Sequence, residues 1–142
     1  MNPNRTRIAL LFIIIMMMVS VSCEKERTSA ELIKSLKGEW KVTGEDQYSE
    51  TTYWVTIYVL DQDSSRISIS NFYQCDDKVK ANVAGQQINL DEDQDINAGI
   101  TSYKIISGSG TITDDYQNID WRYKVDDGSG EAYIVTAVYT KK

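Results

Sequence analysis

From Trp40 to the C-terminus the chain alternates apolar and polar residues with a period of two, in short runs cut by turn signals, and helical periodicity is almost missing. The cleanest run sets Ile119, Trp121, Tyr123 and Val125 against Asp120, Arg122 and Lys124, giving one face to a core and one to water. Trp40, Val42 and Gly44 alternate likewise with Lys41, Thr43 and Glu45, as do Val79, Ala81 and Val83 with Lys78, Lys80 and Asn82. The span 51–60 is β-branched or aromatic on both faces, and Ile67, Ile69 and Phe72 carry a third strand. Ala84-Gly85 makes a hairpin into 86–90, an acidic loop follows, and 102–113, 119–125 and 131–140 complete eight strands. Within the sixth, Ser107-Gly108-Ser109-Gly110 predicts bulges or kinks where the sheet bends. Eight strands joined by short connections predict an all-β, antiparallel, up-and-down barrel, because closure removes both exposed edges. A two-sheet β-sandwich has similar strand spacing and is the alternative.

One helix is expected. Thr28-Ser29-Ala30-Glu31 is a capping box, Leu32, Ile33 and Leu36 share one side, and Gly38 provides a natural stop. Two turns with one apolar stripe are not stable alone, so the helix must lie on something. The stretch Leu36-Lys37-Gly38-Glu39-Trp40 therefore reads as the plug at one end of the barrel.

Residues 1–22 combine Arg5 and Arg7 with an apolar stretch from Ile8 to Val21 that is short of the roughly 20 residues a membrane span needs. That is the pattern of a secretory signal peptide. Val19-Ser20-Val21-Ser22-Cys23 resembles the lipobox of bacterial lipoproteins, which implies cleavage before Cys23 and acylation of its thiol; the plain alternative is an ordinary cysteine near an ordinary cleavage site. Residues 23–28 then form a lipid-anchored tether and 29–142 the barrel domain. Glu24-Lys25-Glu26 resembles the signals that carry some lipoproteins to the outer face of the outer membrane. With Cys23 acylated, Cys75 has no partner within the chain and reads as a shielded thiol, an intermolecular disulfide or a reactive site.

Gly38-Glu39-Trp40, behind a short helix and ahead of a strand meander, resembles the Gly-x-Trp opening of the lipocalin and calycin superfamily. The spans 67–73, 107–112 and 135–142 are similar to a group of small lipocalin-like bacterial lipoproteins without assigned function. The resemblance implies a basic residue packed on Trp40, for which Arg122, Lys141 and Lys142 are the candidates.

The residues themselves narrow the function. The chain has no histidine, so neither a Ser-His-acid relay nor a histidine-ligated metal site can be built, and no catalytic residue is expected. A formal net charge of −6 argues against nucleic acid and against holding the domain on an anionic lipid surface. Asp91, Asp93, Asp95 and Asn97 stand at alternate positions, as at the start of a calcium loop, although Ile96 occupies the place of the glycine and Ser102 that of the bidentate glutamate. The stretch reads as a solvated acidic loop or a weak calcium site. Aromatics crowd the early strands, and Trp40, Tyr48, Tyr53, Trp54, Tyr58, Phe72, Tyr73 and Trp121 are candidate ligand contacts wherever they are not core. An eight-stranded barrel is just wide enough to be filled by side chains or to hold one small ligand. The expectation is a non-catalytic, lipid-anchored envelope module that holds a small apolar or carbohydrate ligand, or a protein, at the open end of a mostly filled barrel. The alternative is a structural or inhibitory envelope protein that works through protein contact alone.

Overall fold

A computed structural model describes residues 28–45, 50–61 and 65–142. The leader, Cys23, the acidic tether and Tyr48 lie outside the described residues.

The helix α1 (Ser29–Leu36) begins as its capping box dictates: the Thr28 hydroxyl accepts from the Glu31 amide at 3.3 Å, and the Thr28 amide donates to Glu31 Oε2 at 3.1 Å. Leu32, Ile33 and Leu36 are buried, each burial contributing roughly 1.5–3 kcal/mol, which is what holds so short a helix in place. It ends at Lys37, and Gly38 follows at φ +132, a backbone region that disfavours any side chain.

The strands are β1 (Gly38–Glu45), β2 (Glu50–Asp61), β3 (Arg66–Ser70), β4 (Lys78–Ala84), β5 (Gln87–Leu90), β6 (Gln94–Ala98), β7 (Thr101–Ile112), β8 (Asn118–Asp126) and β9 (Tyr133–Lys141). All neighbours are antiparallel. β1 pairs with β2 on one side (Trp40 opposite Val55) and with β9 on the other (Trp40 opposite Lys141). Pairing of β5 with β7, Ile88 opposite Gly110, closes the ring into a lipocalin-like barrel with α1 across one end. That closure decides against the sandwich, since two separate sheets would leave these edges unpaired.

Two expectations need correction. The acidic stretch is not all loop: 94–98 forms β6, and nine strands fill eight positions around the ring because β5 and β6 lie in succession along β7. The pattern hid this strand because Ile96 is its single buried residue, too little alternation to read. Phe72 is not in the third strand, which stops at Ser70; Asn71 turns into the left-handed region at φ 56 and starts a single 3₁₀ turn, Phe72–Gln74.

Where β6 follows β5, backbone pairing with β4 ends in one last bond, Asp91 N to the Lys80 carbonyl at 3.0 Å, and a side chain takes over. The Lys80 amide donates to Gln94 Oε1 at 2.6 Å, and Gln94 Nε2 donates back to the Lys80 carbonyl at 3.0 Å. A primary amide presents the same donor and acceptor as a peptide unit, so Gln94 closes the wall at this gap. Opposite it, β7 bulges at Ile106, whose carbonyl accepts from the Asp93 amide at 3.2 Å. The bulge shifts the alternation by one residue, so that Gly108 and Gly110, and not Ser107 and Ser109, point into the barrel. Glycine is required there: a Cβ on Gly110 would sit 2.9 Å from two atoms of the Trp121 indole, and one on Gly108 would sit 2.4 Å from Tyr123 Cβ.

Candidate functional site

The barrel has a plugged end and a capped end. At the plugged end Trp40 is fully buried and its indole Nε1 donates to the Leu36 carbonyl at 2.9 Å, tying β1 to the end of α1. At the other end the segment 71–77 folds over the lumen. Asn71, Tyr73 and Gln74 all have φ near 55°, left-handed values that non-glycine residues adopt sparingly. The segment is fastened by Asn71 N to Asp77 O at 2.9 Å and by Asn71 Nδ2 to the Trp54 carbonyl at 2.7 Å. This geometry drives Phe72 and Cys75 inward until both are fully buried. Burial pushes the Cys75 thiol up to about 11, and its Sγ faces the Tyr73 carbonyl at 3.5 Å, so it is a shielded thiol.

Under this cap lies an aromatic chamber filled by its own packed side chains. Phe72 packs on Tyr123 (centroids 4.9 Å apart) and meets Trp121 edge-on at 6.2 Å; Trp121 packs in turn on Tyr139 at 5.5 Å. Tyr73 stands edge-on to Tyr103 and Tyr123 and shares a 2.6 Å hydroxyl contact with Tyr133 at the rim. Deeper in, the hydroxyls of Tyr53, Tyr123 and Tyr139 lie close enough to bias one another's ionisation. Burial dominates: it pushes Tyr53 up to about 12, with hydrogen-bonding contributions from Tyr123, the Tyr73 backbone and Tyr139 opposing it, and holds Tyr123 and Tyr139 well above the ordinary tyrosine value. Among the described residues, Tyr53 Oη, Tyr139 Oη and Trp121 Nε1 are buried here without a hydrogen bond of good geometry, although the Tyr53 hydroxyl lies beside Tyr123, Tyr139 and the Tyr73 backbone. Trp121 Nε1 is the buried donor here without a partner among the described residues, which costs roughly 1–3 kcal/mol, whereas the tyrosine hydroxyls lie beside one another and beside the Tyr73 backbone.

The aromatic candidates therefore separate. Tyr53, Phe72, Tyr73 and Trp121 come together in the chamber; Trp40 belongs to the plug at the other end; Trp54 and Tyr58 point outward and are 48% and 44% exposed. Tyr123 and Tyr139 complete the chamber and were not singled out, although their alternate positions in β8 and β9 already assigned them to the inner face. The acidic candidates are not brought together. Asp91 is engaged by Arg66 through two contacts, 2.8 Å from Nη1 and 2.5 Å from Nη2, Asp93 stands in a turn at φ 53, and Asp95 lies 3.9 Å from Lys104. Among the described residues no three acidic, cysteine or histidine side chains are grouped to hold a metal. The reason is strand geometry: Asp95 sits in β6, while Asp91 is held across the sheet by β3.

Two shallow hollows lie on the outer wall. One, of about 420 Å³, is lined by Thr43, Glu50, Asp120, Thr136 and Val138 over Gly44; the other, of about 380 Å³, by Ser107, Ser109, Arg122, Lys124 and Ile134. Both are open dents formed where small residues thin the wall.

No protein-family model matches the chain, and no curated protein matches it. Solved structures do. The chain is similar to the β-barrel EF1p2_mFAP2b, solved bound to DFHBI, at TM-score 0.55 and 16% identity over 81% of this chain and 100% of that one. It is also similar to a redesigned β-barrel, at TM-score 0.50 and 13% identity over 78% of this chain and 95% of that one. A more distant likeness, TM-score 0.46 at 14% identity over 78% of this chain and 52% of the other, is to a protein of Bacteroides fragilis NCTC 9343 provisionally described as an outer membrane protein. The first two likenesses bear out a small closed β-barrel as the class to which the fold belongs.

Proposed function

We propose that the protein is a non-catalytic binding module, anchored through Cys23 to the outer membrane, that takes a small, flat, largely apolar ligand bearing hydrogen-bonding oxygens into the aromatic chamber under the 71–77 cap. The observation that carries this reading is the cluster of buried polar atoms, Tyr53 Oη, Tyr139 Oη and Trp121 Nε1, among stacked rings. Aromatic walls would supply the apolar contact, and the three polar atoms would fix orientation. Entry requires the cap to lift Phe72 out of the lumen, and the left-handed backbone of Asn71, Tyr73 and Gln74 stores strain at the place where that motion would start. The DFHBI-bound barrel offers a precedent in a similar fold, with the ligand belonging to that protein alone. The lipobox resemblance supports the anchor, and the missing histidine supports a non-catalytic role.

Tryptophan emission and thermal unfolding are to be followed while the protein is titrated with planar phenols, fatty acids, porphyrins and oligosaccharides. Binding should alter Trp121 emission, raise the Tm, and weaken roughly tenfold in Tyr139→Phe, which removes about one hydrogen bond to the ligand without removing a ring. Silence across the panel, in both emission and Tm, would overturn the reading.

A further inference from the structure

The outer face of β2 carries Trp54, Tyr58 and Leu60 in one line, 48%, 44% and 51% exposed. Exposed aromatic and aliphatic side chains in a row on a sheet face are not explained by core packing. The flanking strands surround them with lysines. Lys41 is directly opposite Trp54 across β1, Lys142 Nζ stands 5.5 Å above the Trp54 ring, and Lys78 Nζ stands 5.4 Å above that of Tyr58. Lys80 follows on the same face of β4, with Ser68 of β3 between it and Tyr58. The acids described around this wall are partly paired: Glu39 and Lys142 neutralise one another at 2.6 Å, Asp91 is held by Arg66 beside Lys80, and Glu50 lies at the far rim. A chain with a net charge of −6 thus has one wall on which Lys41, Lys78 and Lys80 flank exposed aromatics.

α1 packs against β2, and Cys23 precedes its Thr28 cap by a few residues that at about 3.5 Å each reach at most about 20 Å. An anchored barrel on so short a leash is held within reach of the headgroups. Trp and Tyr favour that interface because their rings are apolar and their edges polar, and lysine ammonium groups pair with lipid phosphates there.

We propose that the β1–β4 outer wall docks on an anionic bilayer surface, so that the barrel lies on its side with Trp54, Tyr58 and Leu60 at headgroup depth and the 71–77 cap facing along the membrane. This rests on the reading of Cys23 as lipid-modified and is independent of any ligand in the lumen.

The test uses the full mature chain, purified with its own lipid from its native membrane and reconstituted into phosphatidylcholine/phosphatidylglycerol vesicles with brominated acyl chains. Trp40 and Trp121 are buried inside the barrel, so quenching by the bromines reports Trp54. The expected result is quenched emission that disappears in Trp54→Phe. Lys78→Ser combined with Lys80→Ser should lower the docked-to-undocked ratio by roughly 30-fold, about fivefold for each lysine near an anionic surface. Protein that floats with the vesicles yet keeps the same emission as in unbrominated lipid overturns the docked wall and leaves the anchor standing. Protein that does not float overturns the anchor reading and the docking with it.

Discussion

Lys141 Nζ stands 5.7 Å from the centre of the Trp40 ring and donates a hydrogen bond to the Ser35 carbonyl, so the last strand clamps the first tryptophan and the end of the helix in one contact. The ammonium lies where the helix dipole is negative and where carbonyls lack partners, and it covers the Trp40 indole. Of the basic residues that the lipocalin resemblance put forward, Lys141 is the one on the ring; Lys142 turns out to Trp54 and Glu39, and Arg122 points outward from β8.

Lys141→Met should therefore lower unfolding free energy by about 1–2 kcal/mol, the sum of a partly desolvated cation–π contact and a helix-end interaction. Lys142→Met, exposed and paired only at the surface, should cost well under about 1 kcal/mol. Urea unfolding of the two variants checks the difference, and equal losses would refute the clamp.

The inward glycines of β7 make a sharper test. Gly110→Ala forces a Cβ into the Trp121 indole and Gly108→Ala forces one into Tyr123, so each should destabilise by about 1–3 kcal/mol. Gly44→Ala is the control: its Cβ would meet ordinary contacts at 3.6 Å and beyond, and removing a strand glycine gains roughly 0.5–1 kcal/mol. Thermal melts should move in opposite directions.

Gln94→Ala removes the side chain that stands in for backbone pairing between β4 and β6. The Lys80 amide loses its acceptor, and its hydrogen exchange should rise by roughly tenfold, with global stability lower by about 1 kcal/mol. Gln94→Glu keeps the acceptor but loses the donation to the Lys80 carbonyl, so it should protect the amide while restoring little stability. Amide exchange read by NMR or mass spectrometry at Lys80 separates the two.

Stability should also fall on the alkaline side. Burial pushes Cys75 up to about 11 and Tyr53 up to about 12, and raises Tyr123 and Tyr139 further above the ordinary tyrosine value. In each case the folded chain keeps a proton that the unfolded chain has lost, so their contribution is intact below about pH 9 and is lost as pH climbs from about 9 to 12 and beyond, at roughly 1.4 kcal/mol per group per unit. Denaturant midpoints between pH 7 and 11 check this; Cys75→Ala should flatten the first part of the decline, and Tyr53→Phe a later part.

How much of this was legible beforehand depends on how far apart the interacting residues lie. The capping box at Thr28 and Glu31, the Gly38 stop, and the inward sets Val79, Ala81, Val83 and Ile119, Trp121, Tyr123, Val125 are all local patterns, and each stands in the structure where the alternation put it. The candidate chamber was legible in part: Tyr53, Phe72, Tyr73 and Trp121 meet there, but nothing local separates them from Trp54 and Tyr58, which differ only by which side of β2 faces the lumen. β6 was invisible because a strand with one buried residue is defined by its partner, β7, and not by its own composition.

The sequence by itself determined every strand but β6, the two faces of the regular ones, the helical plug and the exclusion of histidine chemistry, because period, capping and residue type act over a few positions. Only the tertiary structure decided that β5 meets β7 to close the ring, that a bulge at Ile106 turns glycines and not serines inward, that Lys141 is the residue on Trp40, and that an acidic chain has one wall on which lysines flank exposed aromatics. Register, closure and charge sidedness are set by which distant segments become neighbours, and no local pattern carries that information.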